Sequence, residues 1–213
     1  MESPSKRNKV KRVPQRGHYD RETIYQVLDA GFVGHVGFTI DQQPFVIPMA
    51  YGREQDRIFL HGATSSRLIT SLKTGIPVCM TVTHLDGIVL ARSAFHHSMN
   101  YRSAVVFGQA REVPPEEKEE ALFIISEQIL KGRWEASRKP NPKELKATSV
   151  LQFSVEEASA KIRSGPPKDD KEDYELPIWA GVLPIHRQML PPLPDPDLMP
   201  GLTPGPEIKA LFE

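Results

Sequence analysis

The string from His61 to Leu68 contains the residues whose types and order best suit chemistry. Three hydroxyl residues follow one another, Thr64, Ser65 and Ser66, and Arg67 comes directly after them. The pattern places them where a strand ends and a helix begins, so hydroxyl groups, free backbone N–H groups and a guanidinium would surround one point. A phosphate dianion requires such a set of donors. The alternative is a hydroxyl N-cap followed by a surface arginine, which is a common arrangement at helix starts.

Gly62 favours the phosphate interpretation over the capping one. Glycine has no Cβ, and a glycine just before a polar helix start therefore allows the close approach to the main chain that a ligand needs. We interpret Gly62 as part of the candidate phosphate site.

A second polar group runs from Phe95 to Ser103, before an apolar strand. The adjacent His96 and His97 could ligate a metal, but zinc sites need three or four ligands, and no Cys pair or His-x-x-x-His motif lies nearby. We predict no metal site here. The two histidines could instead lie beside a bound aromatic ring or cap a loop. Arg102 and Ser103 alternate with apolar strand residues, so we expect rigid positions for both side chains.

Trp179 is one of only two tryptophans, and a glycine and a short β-rich run follow it. Its flat ring could form the wall of a ligand site or a contact between subunits. Packing in the core is the third interpretation.

Familiar catalytic motifs are missing from the sequence. It contains no Gly-x-Ser-x-Gly elbow and no Walker or Rossmann glycine pattern. Cys79 falls in an apolar strand and is predicted to be a small buried hydrophobic residue, not a nucleophile. The acidic run over 169–175 is interpreted as a solvated loop.

The elements that must position these residues follow from the periodicity of the apolar residues. Helices are predicted over 19–30, 65–74 and 116–130, with a further short helix that begins at Asn141. Strands are predicted over 32–40, 43–51, 56–61, 77–85, 88–93 and 103–112, with Asp86-Gly87 as a hairpin turn and a possible returning strand over 148–155. The stretch 154–163 is compatible with a strand or a helix. Strands at hairpin spacing cannot form parallel crossovers, so the sequence predicts a mainly β fold, a six-stranded antiparallel barrel with flanking helices.

Charge and proline content divide the chain into three parts. The 213 residues carry 27 basic and 27 acidic side chains, and this zero net charge argues against a protein built to bind polyanions. Residues 1–17 form a basic arm with six Lys or Arg against one Glu, interpreted as a solvated terminus, with nucleic-acid binding as the less favoured alternative. Residues 185–213 form a proline-rich arm, with seven prolines in the last 23 residues, which either wraps a neighbouring subunit or is disordered. The predicted domain between the arms spans residues 18–184.

Several classes of protein are excluded by composition. No apolar run approaches the roughly 18 residues that cross a bilayer, and the basic first residues lead into no apolar signal segment. A single cysteine excludes an intramolecular disulfide framework. We therefore expect a cytoplasmic protein.

Five segments, taken in order, resemble the FMN-binding branch of the pyridoxamine 5′-phosphate oxidase-related split-barrel family, which includes the nitroimidazole-resistance proteins. The segments are 32–38, 44–51, 61–68, 101–108 and 179–184. The resemblance implies a split β-barrel with Greek-key connections. It also implies a homodimer that binds two FMN molecules at the subunit interface.

The resemblance implies roles for individual residues as well. The hydroxyl string and Arg67 match the family's phosphate motif, the strand 48–51 would face the flavin ring, and Arg102 and Ser103 would reach the cofactor from the partner subunit. The implied cofactor-binding residues are Pro48, Met49, Ala50, Tyr51, His61, Thr64, Ser65, Ser66, Arg67, Arg102, Ser103 and Trp179. The candidate proton donors near the ring are His61, His96 and His97.

The activity implied by the resemblance is that of a flavin-dependent oxidoreductase whose substrate is unassigned. Oxidation of vitamin B6 is not expected, because pyridoxamine phosphate oxidases have an arginine after their Trp-x-Gly motif, whereas Val182 and Leu183 follow Gly181 here. Two alternatives stay open. One is a flavin carrier or sensor without catalysis, and the other is a haem-degrading protein, since a related branch degrades haem.

Overall fold

Ten strands form one hydrogen-bonded sheet in the computed structural model, which describes residues 4–212. Residues 1–3 of the predicted basic arm and residue 213 of the predicted C-terminal arm lie outside the described residues. The strands are β1 (Gly17–His18), β2 (Val33–Ile40), β3 (Gln43–Glu54), β4 (Arg57–Ala63), β5 (Pro77–Leu90), β6 (Ser98–Gln109), β7 (Arg111–Glu112), β8 (Thr148–Ser154), β9 (Glu157–Arg163) and β10 (Gly181–Pro184). The helices are α1 (Arg21–Asp29), α2 (Arg67–Leu72), α3 (Lys118–Ile129), α4 (Pro142–Ala147) and α5 (Pro206–Lys209).

The sheet is antiparallel throughout its described pairings. Its strand order is β1-β9-β6-β5-β2-β3-β4-β8-β7, and β10 pairs with β5 beyond the end of β2. The predicted mainly β antiparallel fold is confirmed, with ten strands in place of six. Part of the difference comes from the stretch 154–163, which is largely the strand β9, and from the two-residue strands β1 and β7.

The predicted hairpin at Asp86-Gly87 is wrong, because β5 runs without a turn from Pro77 to Leu90. A register shift between Leu85 and Gly87 is the only irregularity in its described pairing with β6. Gly87 serves the packing of β10 instead. A Cβ at this position would lie 3.0 Å from Val182 Cγ1 and 3.1 Å from the carbonyl oxygen of Leu183.

The main core lies between α1 and the sheet. Ile24, Val27 and Leu28 recur on one face of α1 and are all buried. The helix begins where predicted, because Asp20 accepts a hydrogen bond from the backbone N–H of Thr23 at 2.8 Å. A smaller apolar cluster packs α3 against β4 and β8, with Phe59, Val113, Ala121, Ile124, Ile125 and Val150. The two clusters hold the central strands in place, and these strands carry the candidate site.

The N-terminal arm is ordered from residue 4 onward, in contrast to the solvated terminus interpreted from its charge. β1 pairs with β9, the side chain of Asn8 donates to the carbonyl oxygen of Ala158 at 2.9 Å, and Arg7 forms an ion pair with Glu157. Local hydrogen bonds to β9 therefore fix the arm along one edge of the sheet.

The C-terminal arm is extended as predicted, apart from the short helix α5. An ion pair of 3.0 Å between Arg133 and Glu207 attaches α5 to the chain that follows α3. Between β10 and α5, the side chains of Leu190 and Leu193 are 75% and 93% exposed. Among residues 4–212, no helix combines the length and the hydrophobicity that a membrane span needs.

Candidate functional site

The turn over residues 64–67 presents free hydrogen-bond donors at the start of α2. Ser66 is the N-cap, and its Oγ accepts from the backbone N–H of Ile69 at 3.3 Å. The capping alternative is therefore correct for Ser66. Thr64 and Ser65 are exposed, and their hydroxyl groups have no hydrogen-bond partner within residues 4–212. The backbone N–H groups of Arg67 and Leu68, which a helix cannot pair at its first turn, likewise have no partner in the described part of the chain.

Arg67 adds a free positive charge to this turn. Its guanidinium carbon lies 5.0 Å from the centre of the Phe45 ring, on β3. The side chain is exposed and forms no ion pair with any described residue. A cation stacked on an aromatic face and lacking a carboxylate partner can bind an anion without first giving up an internal contact.

Gly62 lies close to the first turns of α2. A Cβ on this residue would lie 3.0 Å from Cγ1 of Ile69 and 3.6 Å from Oγ of Ser66. A side chain at position 62 would therefore press on α2, and the approach of a ligand to the main chain of Gly62 stays a prediction.

His61 lies on β4, three residues before the turn. Its ring is half-buried, and Nδ1 is buried without a hydrogen-bond partner among the described residues. Burial lowers the pKa of His61 from its usual value, because desolvation disfavours the imidazolium form. A neutral ring with an unsatisfied nitrogen is costly unless a ligand uses it.

The cofactor-free protein should consequently lose stability as the pH falls through the ordinary histidine pKa of about 6.5. The unfolded chain binds a proton at His61 in this range more readily than the folded chain does, so stability rises with pH there. The variant His61→Gln cannot titrate and should show a flatter dependence. Urea unfolding of both proteins between pH 5 and 8 measures the difference, and parallel curves would contradict the assignment.

The strand segment 48–50, predicted to face the flavin ring, lies where β3 separates from β4. β3 pairs with β4 only over Tyr51–Glu54, whereas β4 continues to pair with β8 as far as Ala63. The segment 48–50 therefore diverges from the end of β4. Its main chain is paired with β2 on one side, and its other edge can offer backbone groups to a planar ring.

Tyr51 does not present its side chain to this cleft. The ring is fully buried in the core, and the hydroxyl donates to the carbonyl oxygen of Leu28. Burial raises the pKa of Tyr51, so the phenol stays protonated. Of the four predicted residues on β3, the side chains of Met49 and Ala50 are partly exposed and that of Pro48 is exposed.

Arg102 and Ser103 are both engaged within their own chain. Arg102 forms a bidentate pair with Asp86 across β5 and β6, at 3.0 and 2.8 Å, and this contact lowers the pKa of Asp86. The hydroxyl of Ser103 donates to the carbonyl oxygen of Lys161 at 3.3 Å. The contact of Arg102 and Ser103 with a cofactor bound to the partner subunit stays a prediction. In that contact, the guanidinium would also keep its pair with Asp86, and the hydroxyl its bond to Lys161. Sequence reasoning missed Asp86, which it had placed in a turn.

Trp179 is 65% exposed, so it is not a core residue. Its ring lies over the backbone of Gly181, where a Cβ would come within 2.9 Å of the ring. This contact explains why residue 181 of the Trp-x-Gly run is a glycine. The exposed face of the ring is free for a ligand or a second subunit.

His96 and His97 lie on a 3₁₀ turn before β6, apart from the 64–67 turn in the chain. Nε2 of His96 is 3.3 Å from Oδ2 of Asp170, and Asp173 lies within the same 4.8 Å group of possible ligand atoms. Nδ1 of His97 accepts from the backbone N–H of Ala91 at 3.0 Å. The predicted residues therefore fall into two sets. One set lies where β3 and β4 separate, and the other lies along the later part of β5 and β6.

The family membership of the chain is shown by its similarity to known proteins. The sequence model of the pyridoxamine 5′-phosphate oxidase family matches residues 20–162. The chain belongs to this family. The resemblance seen in the sequence is thereby confirmed, and membership of the pyridoxamine 5′-phosphate oxidase family supports a flavin as the cofactor.

Solved structures of the same family resemble this member along most of its length. The flavocytochrome Anf3 from Azotobacter vinelandii is 42% identical, with a TM-score of 0.93 and 99% of both chains covered. The FAD and haem binding protein from Mycobacterium smegmatis is 33% identical, with a TM-score of 0.89 and coverage of 92% of this chain and 97% of that one. A protein named for 5-nitroimidazole antibiotic resistance, from Bacteroides thetaiotaomicron, is 25% identical, with a TM-score of 0.59 and coverage of 68% and 86%. No curated protein matches the sequence.

Proposed function

We propose that this family member is a redox protein that binds a flavin and a haem and acts as an oxidoreductase. The observation that carries the proposal is the extent of the similarity. The flavocytochrome covers 99% of the chain, and the FAD and haem binding protein covers 92%. The nitroimidazole-resistance protein covers only 68%. The two relatives whose names indicate haem therefore match a larger part of this chain than the nitroimidazole-resistance protein does.

The 64–67 turn fits the phosphate group that FMN and FAD have in common. The hydroxyl groups of Thr64 and Ser65, the first amides of α2 and the guanidinium of Arg67 have no hydrogen-bond partner among the described residues. The open main-chain edge of 48–50 would bind the polar edge of the flavin ring. FMN is the flavin predicted from the sequence, whereas the relative from Mycobacterium smegmatis is named as binding FAD, and this turn suits either.

His61 is our candidate for the residue that holds the haem iron. An iron ligand must be a neutral imidazole with a free nitrogen. Nε2 of His84 is engaged with the carbonyl oxygen of Val27 at 2.8 Å, and Nδ1 of His97 is occupied by Ala91. His61 is kept neutral by burial and has an unpartnered nitrogen. The same low basicity makes His61 a poor source of protons near neutral pH, so we assign it to binding and not to acid catalysis.

Bound together, the two groups would supply the two-electron chemistry of a flavin and the one-electron chemistry of a haem. The protein would orient them and keep water from the flavin ring. We further propose that it acts as a homodimer. Large apolar side chains are exposed on the described chain, including Val46 at 67%, Trp179 at 65% and Met199 at 71%. A second copy of the chain would cover part of this surface.

Purification followed by absorbance spectroscopy, mass spectrometry of released ligands and light scattering tests this proposal. We expect a flavin band, a Soret band and the mass of a dimer. The variant His61→Ala should lose the Soret band and keep the flavin. A colourless protein that takes up neither added flavin nor added haem would refute the proposal. If both are bound but NAD(P)H oxidation fails with every acceptor, the protein is a carrier or sensor, and loss of the Soret band under reductant would indicate haem degradation.

A further inference from the structure

A basic groove lies between three segments that the proposed cofactor sites do not use. Its walls are the N-terminal arm over 12–16, the 3₁₀ turn and first residue of β6 over 95–98, and the last residue of β9 with the chain that follows it, over 163–168. The groove encloses about 550 Å³, within the range of roughly 300–1,000 Å³ that is typical of small-molecule sites. None of the residues implied to bind the flavin or proposed to hold the haem lines it, although His96 and His97, two of the candidate proton donors, do.

Four cations line this groove, and no acidic residue does so in the described part of the chain. The cations are Arg12, Arg16, Arg163 and Lys168. The side chains of Arg12, Arg16 and Lys168 have no ion pair with any of residues 4–212. Among the described contacts of the lining residues, one is with an acidic group, where Nε2 of His96 lies 3.3 Å from Oδ2 of Asp170. The groove therefore has a strong excess of positive charge.

Arg163 is the residue that most requires an anion. It is only 6% exposed, yet its one described side-chain hydrogen bond goes to the neutral Oδ1 of Asn100. Burial and the nearby charge of Arg16 lower the pKa of Arg163. Burying a charge without a counter-charge is expensive. An anion in the groove would compensate both arginines at once.

Phe95 gives the same groove a flat apolar surface. The ring is 89% exposed and touches His96 edge-on, with 5.3 Å between the ring centres. An aromatic base could stack on its free face. Because Nδ1 of His97 accepts from Ala91, its proton is on Nε2 in the neutral ring, which leaves a further donor on a residue of the groove wall.

Contacts within and next to its walls hold the groove in shape. Val13, a β-branched residue, has a left-handed backbone with φ 52°, and its carbonyl oxygen accepts from the N–H of Arg16 at 3.0 Å. Such strain persists only where the surroundings enforce it. Asp169 directly follows the wall residue Lys168, and its fully buried carboxylate accepts from the N–H of Ser93 at 3.1 Å and pairs with Arg92 at 3.2 Å.

We propose that the groove binds a diphosphate joined to an aromatic base, with the phosphates on Arg16 and Arg163 and the base on Phe95. Two ligands have this chemistry, a nicotinamide dinucleotide that supplies electrons and the ADP half of a bound FAD. The site stands on its own residues. Only the choice between the two ligands rests on the proposed flavin function.

Calorimetric titration of the purified full chain with ADP at low salt tests the site. The wild type should bind ADP. Arg16→Gln and Arg163→Gln should each weaken binding by about 10- to 100-fold, the range for a lost hydrogen bond to a charged group. Phe95→Ala should weaken it as well. The matched control is Arg111→Gln, an exposed arginine on β7 that does not line the groove, and it should bind as the wild type does.

Titrations with FAD, FMN and NADPH identify the natural ligand. If the groove variants weaken FAD and leave FMN unchanged, the groove holds the ADP half of FAD. If they weaken NADPH and leave both flavins unchanged, it holds a reductant. A wild type that does not bind ADP, or an Arg16→Gln variant that binds ADP as tightly as the wild type, would overturn the proposal even if Arg163→Gln fails to fold. A protein that binds ADP in the groove but neither flavin nor haem would refute only the proposed function.

Discussion

Replacing Gly52 with alanine should destabilise the protein by about 3 kcal/mol, the upper part of the range for overpacking a core. Gly52 lies on β3 beneath α3, and a Cβ there would be 2.6 Å from the backbone nitrogen of Ile125 and 2.7 Å from the carbonyl carbon and oxygen of Ile124. These are main-chain atoms within a helix, so no rotamer change can relieve the clash. Either α3 must shift from the sheet or β3 must bend.

The matched control for this change is Gly37→Ala on β2. Its Cβ would have ordinary contacts, the nearest being the carbonyl oxygen of Cys79 at 3.5 Å. Alanine there also restricts the unfolded chain, which stabilises by roughly 0.4–1 kcal/mol, so we expect a change within about 1 kcal/mol. Urea unfolding of both variants measures the difference. Equal stabilities would show that α3 does not press on β3 as described.

Removal of the Arg67 side chain should weaken flavin binding by about 1.5–3 kcal/mol, or roughly 10- to 150-fold in affinity. The Arg67 side chain is exposed, stacks on the face of Phe45 and forms no ion pair with any described residue, so Arg67→Ala should leave the free energy of unfolding almost unchanged. Arg67→Lys keeps the charge and loses the planar fork, and an intermediate affinity is expected.

Fluorescence titration of the cofactor-free protein with FMN gives these affinities directly. Ser66→Ala is an informative companion, because Ser66 caps α2 and its loss should lower stability by about 1 kcal/mol. A flavin affinity of Arg67→Ala equal to that of the wild type would place the phosphate elsewhere on the molecule.

The features that the sequence predicted well depend on residues close together in the chain. The helix that begins at Asn141 has the expected capping box, in which the Asn141 side chain accepts from the N–H of Glu144 and the Glu144 carboxylate accepts from the N–H of Asn141. Asp20 caps α1 for the same local reason. Both patterns span three residues, so no knowledge of the fold is needed to recognise them.

The features that the sequence did not predict depend on the register of distant strands. Asp86-Gly87 has the composition of a hairpin turn, but Arg102 on β6 pairs with Asp86, and β10 packs on Gly87. Gly62 on β4 likewise leaves space for the side chain of Ile69 on α2. A glycine shows that space is needed at its position. Only the fold shows what fills that space.

The candidate site shows the same division. The free donors at Thr64, Ser65 and Arg67 follow from a helix start, and the sequence could indicate them. The burial of the Tyr51 side chain could not be read from the strand pattern, since alternation separates two faces without telling which one meets the core. The basic groove was missed because its walls come from segments about 80 and 150 residues apart in the chain.

The ordered arm along β9 has a consequence for the behaviour of the chain at high concentration. A strand at the border of a sheet presents unpaired N–H and C=O groups, and a second molecule can add to it as an extra strand. β1 occupies part of this border, and Asn8 satisfies the carbonyl group of Ala158 next to it. The ion pair of Arg7 and Glu157 lies at the first residue of β9. We therefore expect residues 7–18 to hinder the addition of a second molecule at this edge of the sheet.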